Sequence, residues 1–242
     1  MQDLSEARRR NASQATEALA IEDRRRFLQR LDHELKNPLT AIQVGLAILE
    51  EKSDPQTVES IQAQTQRLSQ LVVDLRKLSD LETRPIEFAS VNLAEILKTV
   101  VGITEERCCA KGIKLTLNLP QAPWPLPAVS GDGDLLLLAF HNLLDNAVKF
   151  NQPGETIEVR GFEDGRSVVV EVADTGPGIP EDELTHIWEE LYRGQGARGI
   201  PGSGLGLALV RVIVDRHRGQ VNIRSRTEQG TVVIVRLPQA NH

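Results

Sequence analysis

Hydrophobic residues recur three and four positions apart through the first third of the chain. From Phe27 they fall at Leu28, Leu31, Leu35, Leu39, Ile42, Leu46 and Leu49, the spacing of one face of an α-helix. No glycine precedes Gly45 and Pro38 is the single proline before residue 50, so residues 1–50 read as helix. A Ser53-Asp54-Pro55 turn follows, with proline well placed to begin a second helix. The second stripe runs Val58, Ile61, Thr65, Leu68, Val72, Leu75 and Ser79, widened by Leu71 and Leu78. Two amphipathic helices joined by a short turn make an antiparallel hairpin. One hairpin cannot bury both stripes, so pairing with a second copy into a dimeric four-helix bundle is expected. Ahead of it, Leu4, Ala7, Ala18 and Ile21 set the weak heptads of a coiled-coil lead-in.

Beyond Arg84-Pro85 the pattern changes. Short β-like runs at Ile113–Leu119, Thr156–Gly161, Ser167–Asp174, Val221–Ser225 and Thr231–Leu237 alternate with helical stretches at Leu93–Ala110, Asp132–Phe150 and Leu205–Arg218. Mixed elements with hairpin-like strand pairs at the end predict an α+β sandwich, helices layered on one sheet. The expected organisation is a lead-in helix over 1–22, a helical hairpin over 23–82, a linker over 83–90 and the sandwich over 91–240.

At 242 residues the chain is long enough to bury a core in each part. Its net charge of -6 argues against a general nucleic-acid binder. The arginine clusters Arg8–Arg10 and Arg24–Arg26 do not alter that, since eight Lys/Arg meet seven Asp/Glu in the first 36 residues. Cys108 and Cys109 are adjacent and lack the spacing of a disulfide framework or a metal site. No apolar run reaches membrane-spanning length and no signal peptide opens the chain, so a cytoplasmic location is expected, with a membrane-anchored parent left open.

Four stretches carry candidate chemistry. In Leu31-Asp32-His33-Glu34-Leu35-Lys36-Asn37-Pro38, a proline sits inside a strong helical pattern at a cost of about 3 kcal/mol. A broken local rule of this kind marks a functional site. Glu34 beside His33 can orient the imidazole and accept its proton, and Asn37 shares its helical face, where it could place a water. In Asn142-Leu143-Leu144-Asp145-Asn146-Ala147-Val148-Lys149-Phe150, the residues Asn142, Asn146, Lys149 and Phe150 share a face suited to hydrated Mg²⁺ and a triphosphate, or to plain solvent. Val170–Asp174 reads as a strand that delivers Asp174 into a turn with Gly176 and Gly178, able to accept a hydrogen bond from an exocyclic amine such as that of adenine. Last, Gly202-Ser203-Gly204-Leu205-Gly206 feeds a helix N-terminus whose free N–H groups suit phosphate. The glycine-studded Arg193–Gly202 before it reads as a lid.

In this order the four stretches resemble the histidine box, asparagine box, DxGxG box and second glycine box of the sensor histidine kinases of two-component systems. The resemblance covers about Asp23 to Pro238. It implies a dimerisation and phosphotransfer hairpin followed by a Bergerat-type ATP-binding sandwich. It also implies ATP and Mg²⁺ as cofactors, and a response-regulator receiver domain and a second copy of the chain as partners. His33 would be the phosphoacceptor, Glu34 the acid/base, and Asn37 the position linked to phosphatase activity. Asn146 would hold Mg²⁺, with Asn142 and Lys149 near the phosphates and Phe150 near the base. Asp174 would read adenine N6 in a pocket shaped by Gly176 and Gly178. Gly202, Ser203, Gly204, Leu205 and Gly206 would embrace the phosphates, with Arg193 a further contact and Leu81–Pro85 a hinge.

The stretch Ile187-Trp188-Glu189-Glu190-Leu191-Tyr192-Arg193 departs from the family's phenylalanine-rich pattern. That keeps a phosphatase-biased pseudokinase scaffold in view. A clamp ATPase of the Hsp90 and gyrase type would share the asparagine and glycine boxes but lack the His33–Pro38 helix ahead of them.

Overall fold

The computed structural model describes residues 2–51, 54–83, 85–197 and 199–240, with side chains at 2–21, 23, 51 and 82 outside that description. The side-chain stripe expected at Leu4, Ala7, Ala18 and Ile21, and the turn residues Ser53 and Arg84, therefore lie outside the described residues. The chain forms two compact units, one ending at Gln70 and the other beginning at Leu71.

In the first unit, helix α1 spans Gln2–Glu51 and continues through Pro38, whose ring is buried. Helix α2 spans Pro55–Thr83. Its start is fixed by Asp54, whose carboxylate accepts the Thr57 hydroxyl at 2.7 Å and the N–H groups of Gln56 and Thr57 at 3.4 and 3.2 Å. The Thr57 hydroxyl, with those two N–H groups, holds the Asp54 carboxyl below its ordinary range. The helices approach closely at buried Gly45, where a Cβ would lie 2.8 Å from Ile61 Cγ1. Much of both apolar stripes stays exposed: Leu39 is 49% and Leu46 51% accessible.

The second unit takes in the last part of α2, ahead of the composition change at residue 83 that marks the sequence-based linker. Asp74 and Leu81 are tied into it, Asp74 by the Ser203 hydroxyl at 2.6 Å and the Leu81 carbonyl by the Arg216 guanidinium. Strand β1 (Ala89–Val91) leads into α3 (Leu93–Lys111), then β2 (Lys114–Asn118), β3 (Val129–Gly131) and α4 (Gly133–Phe150). Strands β4 (Thr156–Asp164) and β5 (Ser167–Asp174), helix α5 (Gly206–Arg216), and strands β6 (Gln220–Arg226) and β7 (Gly230–Pro238) follow. The main sheet has the order β2-β4-β5-β7-β6, antiparallel except for β2 beside β4; β1 and β3 form a separate two-stranded sheet absent from the sequence reading. Three-residue strands are too short to show a period.

Helices α3, α4 and α5 pack together, with contacts onto β2, β5, β6 and β7, and their apolar faces meet the inward strand residues. Directly opposed residues share a face, so register sorts the sheet into columns. One column joins Val159, Val172 and Val233, all buried; the next joins Ile157, Asp174 and Thr231. Asp174 thus stands in an inward column at the strand end. Phe140, Leu144 and Leu209 fill the layer between, each contributing about 1.5–3 kcal/mol by burial. His217, fully buried, accepts Asp132 N–H on Nε2 at 2.9 Å and donates from Nδ1 to the Ile213 carbonyl at 2.7 Å, which locks the end of α5 to the start of α4. No described helix is long and apolar enough to cross a membrane.

Candidate functional site

The expected site residues fall in two groups, one in each unit. His33 is exposed on α1, and with Arg24, Arg25, Leu28, Gln29 and Asp32 it lines a shallow open depression. An imidazole so placed is open to a bulky electrophile. Glu34, half-buried beside it, accepts Arg67 Nη2 on Oε2 at 2.6 Å, so α2 engages one oxygen of the carboxylate. Asn37 is exposed one turn further on, while Pro38 turns inward.

The second group gathers around the α4 face in the second unit. Asn142 and Asn146 lie against Gly206 at the first turn of α5: a Cβ on Gly206 would be 3.3 Å from Asn142 Oδ1 and 3.6 Å from Asn146 Nδ2. Helices α3 and α4 are capped by the side chains of Asn92 and Asp132, whereas α5 starts at buried Leu205 with no side-chain cap. Its first N–H groups and its positive dipole end are therefore available to an anion beside the two asparagines. Lys149 brings a cation to the loop ahead of α5, its Nζ within 3.9 Å of where a Gly202 Cβ would be. Asp145 holds that ammonium at 2.6 Å and Arg107 at 2.7 Å. Burial by itself would raise the Asp145 carboxyl, but hydrogen bonds from Lys149 and Arg107 outweigh it and leave the group below its ordinary range. Phe150, half-buried, closes this face at the end of α4.

Asp174, at the end of β5, lies close to Asn151, the residue that ends α4. The Asp174 Oδ1 accepts Gly176 N–H at 3.0 Å, and a Cβ on buried Gly176 would sit tightly between the two side chains, 3.0 Å from Asp174 Oδ1 and 3.4 Å from Asn151. Burial raises the Asp174 carboxyl above the ordinary carboxylate range, against the pull of donors on Gly176, Thr231 and Asn151. Asn151, fully buried, donates to the Ala147 carbonyl at 2.7 Å, and its Oδ1 has no partner among the described residues. Gly178, at φ 69°, backs onto the β6–β7 turn, where a Cβ would collide with the Arg226 carbonyl. Ser225 Oγ accepts Ile179 N–H at 2.8 Å and fixes the same turn.

The glycine loop is built from within. Gly204, at φ 74°, packs on the backbone of Leu191 and Tyr192, which brings the two ends of the 191–204 segment together. Arg193 donates to the carbonyls of Ala197, Ile200 and Gly202 at 2.7, 2.6 and 3.1 Å, so its guanidinium spans the loop's interior. Ser203 donates to Asp74 and accepts Leu205 N–H at 3.3 Å. In the departing stretch, Ile187 and Leu191 are buried and Trp188 is half-buried. Sequence reasoning missed Asn151, Thr231, Ser225 and Glu183. Register could have flagged Thr231 and its cross-strand partner Ser225; Asn151 and Glu183 are visible only through burial.

Two family models match the chain. Residues 23–84 match the His Kinase A phospho-acceptor domain, and residues 131–241 match the histidine kinase-, DNA gyrase B- and HSP90-like ATPase. The signal transduction histidine-protein kinase BaeS of Escherichia coli (strain K12) is 33% identical over 222 residues, covering 89% of this chain and 47% of BaeS. The full-length ShkA structure in complex with AMPPNP has 28% identity and a TM-score of 0.65 over 89% of this chain and 46% of ShkA. The histidine kinase ThkA, solved in complex with the response regulator protein TrrA, shares the fold with a TM-score of 0.74 at 24% identity, over 89% of this chain and 61% of ThkA. The chain spans about half the length of the curated relatives it matches.

Proposed function

Because the chain belongs to the sensor histidine kinases, with a phospho-acceptor hairpin ahead of an ATP-binding domain, we propose that it phosphorylates its own His33 from Mg·ATP and passes the phosphoryl group to a response-regulator receiver domain. The observation that carries this reading is the meeting of Asn142 and Asn146 with the uncapped start of α5, with Lys149 beside Gly202 ahead of it, in a chain that also presents an exposed histidine beside a carboxylate. The phospho-acceptor match over residues 23–84 separates the chain from clamp ATPases that share only the nucleotide fold.

In the proposed reaction an imidazole nitrogen of His33 attacks the γ-phosphorus in line. An N–P bond forms, the bond from phosphorus to the β,γ-bridging oxygen breaks, ADP departs, and the ring proton goes to Glu34. Catalysis is positioning and charge neutralisation. Asp174 receives the adenine amine, Phe150 lies along the base, and the loop Gly202–Gly206 with Lys149 receives the phosphates. The donor set fits Mg²⁺: an amide oxygen on Asn146 is a hard ligand. Magnesium keeps several waters and takes few oxygen ligands from protein, so one amide oxygen together with the phosphates would suffice to hold it. The ion would neutralise charge on the β- and γ-phosphates. Arg193 serves this scheme by shaping the loop through its three carbonyls. The exposed stripe that includes Leu39 and Leu46 supports a second copy as bundle partner. Asn37, exposed on α1 four residues after His33, would orient water toward a phosphorylated regulator, so the same hairpin would serve dephosphorylation.

The test is to label the chain with γ-labelled ATP and mix it with candidate receivers. Faster loss of label from the chain, matched by gain on one receiver, is expected; no receiver that accelerates loss would sink the transfer step. ATP binding without labelling would favour the phosphatase-biased scaffold.

A further inference from the structure

The turn that follows the DxGxG stretch, Glu181-Asp182-Glu183-Leu184, looks in sequence like a solvated acidic surface. In the fold its third residue is buried: Glu183 is 8% exposed. A buried carboxylate is costly unless donors face it. The donor here is the backbone of the loop itself, with Gln195 N–H donating to Glu183 Oε1 at 2.9 Å. Gly194 is pressed against the same group, and a Cβ there would collide with Glu183 Oε2. The φ of Gly194 is not left-handed, so the requirement at this position is space for the carboxylate and not an unusual backbone.

The backbone that carries this carboxylate is hydrogen-bonded on both sides. Glu183 N–H donates to the Pro180 carbonyl at 3.0 Å, and the Glu183 carbonyl accepts N–H groups of His186 and Ile187 at 2.9 and 3.2 Å. Ile187 and Leu191 anchor that turn in the core. Two opposite charges therefore divide the polar backbone of the loop: Glu183 takes an N–H at its start, and Arg193 takes three carbonyls along its length. The short 3-10 turn Gln195–Ala197 begins at the residue Glu183 holds.

We propose that Glu183 is a positioning residue for the phosphate loop: its carboxylate fixes the backbone at Gly194–Gln195 and so sets where the segment up to Gly206 meets the γ-phosphate. The proposal rests on the nucleotide reading of this site. It separates the phosphate end of the cleft from the adenine end, where Asp174, Gly176 and Asn151 are held by other contacts.

The test measures affinities of the full chain for Mg·ATP and for adenosine, with thermal midpoints, in wild type, Glu183→Ala, Glu183→Gln and Gly194→Ala. Glu183→Ala is expected to weaken ATP about tenfold, equivalent to ~1.4 kcal/mol, with adenosine affinity unchanged. Glu183→Gln keeps an acceptor oxygen and should restore ATP affinity to within about threefold of wild type. Gly194→Ala, which displaces the carboxylate without removing it, should repeat the alanine pattern. It also carries the test if Glu183→Ala does not fold. Equal losses on ATP and adenosine, or unchanged ATP affinity in both Glu183→Ala and Gly194→Ala, would overturn the role of Glu183. A wild-type chain that binds neither ligand overturns the nucleotide reading itself, and this proposal with it.

Discussion

Replacing Asp174 by asparagine keeps the volume at the end of β5 and exchanges one oxygen for an amide nitrogen. In the native chain the carboxylate receives the N–H of Gly176 at 3.0 Å. The Thr231 N–H and the Asn151 amide also donate to it. An asparagine must turn its single oxygen toward these donors, which leaves its own NH₂ facing an incoming adenine amine. Loss of a hydrogen bond to a charged acceptor costs about 1.5–3 kcal/mol. ATP affinity should therefore fall roughly ten- to a hundredfold. Folding moves the other way. Because burial raises the Asp174 carboxyl, the folded state is penalised where that group is ionised. The penalty is absent below the ordinary carboxylate range and fully present above the raised one. Asp174→Asn should be at least as stable as wild type at neutral pH, and any gain should vanish toward acid. Calorimetric titration with ATP and with inosine triphosphate, whose ring carries a carbonyl in place of the amine, reads the first effect; urea unfolding across pH reads the second. The variant's preference for ATP over inosine triphosphate should shrink or reverse. ATP affinity within threefold of wild type, with that preference intact, would show that Asp174 does not read the base.

Asp145 gives the opposite pH sign. Its carboxyl is held below the ordinary range, so its contribution is present above that range and lost as pH falls through the depressed value. Asp145→Asn should cost about 0.5–1 kcal/mol at neutral pH, since Arg107 is half-exposed, and nothing in acid; a constant difference across pH would refute the ion-pair account. Asp74 engages the Ser203 hydroxyl at 2.6 Å and sets a negative charge beside the loop proposed to hold phosphates. Asp74→Ala should raise ATP affinity about three- to tenfold in a direct titration. A fall would mean that Asp74 helps to build the loop.

The hairpin was legible because Leu28 to Leu49 and Val58 to Leu78 keep helical spacing without interruption, and Asp54-Pro55 carries its own start signal. Strand β5 could be read to its ends, since its valine run stops at Asp174 and a glycine turn. The two-stranded sheet of β1 and β3 could not, as neither strand is long enough to alternate. Asn142, Asn146, Lys149 and Gly206 could each be singled out from sequence, but their approach to one another depends on how α4 and α5 pack. Glu183 was hidden for a different reason: a carboxylate in an acidic turn looks solvated until the fold buries it against Gly194. Asn151 followed the asparagine stretch directly and carried no local signal of burial.

The central claim is transfer of a phosphoryl group to His33. Incubating wild type and His33→Gln with Mg²⁺ and γ-labelled ATP, then treating the products with acid and alkali, tests it most directly. The account predicts label on wild type that survives alkali, is lost in acid and is absent from His33→Gln. Equal labelling of the two proteins, or label that resists acid, would contradict it.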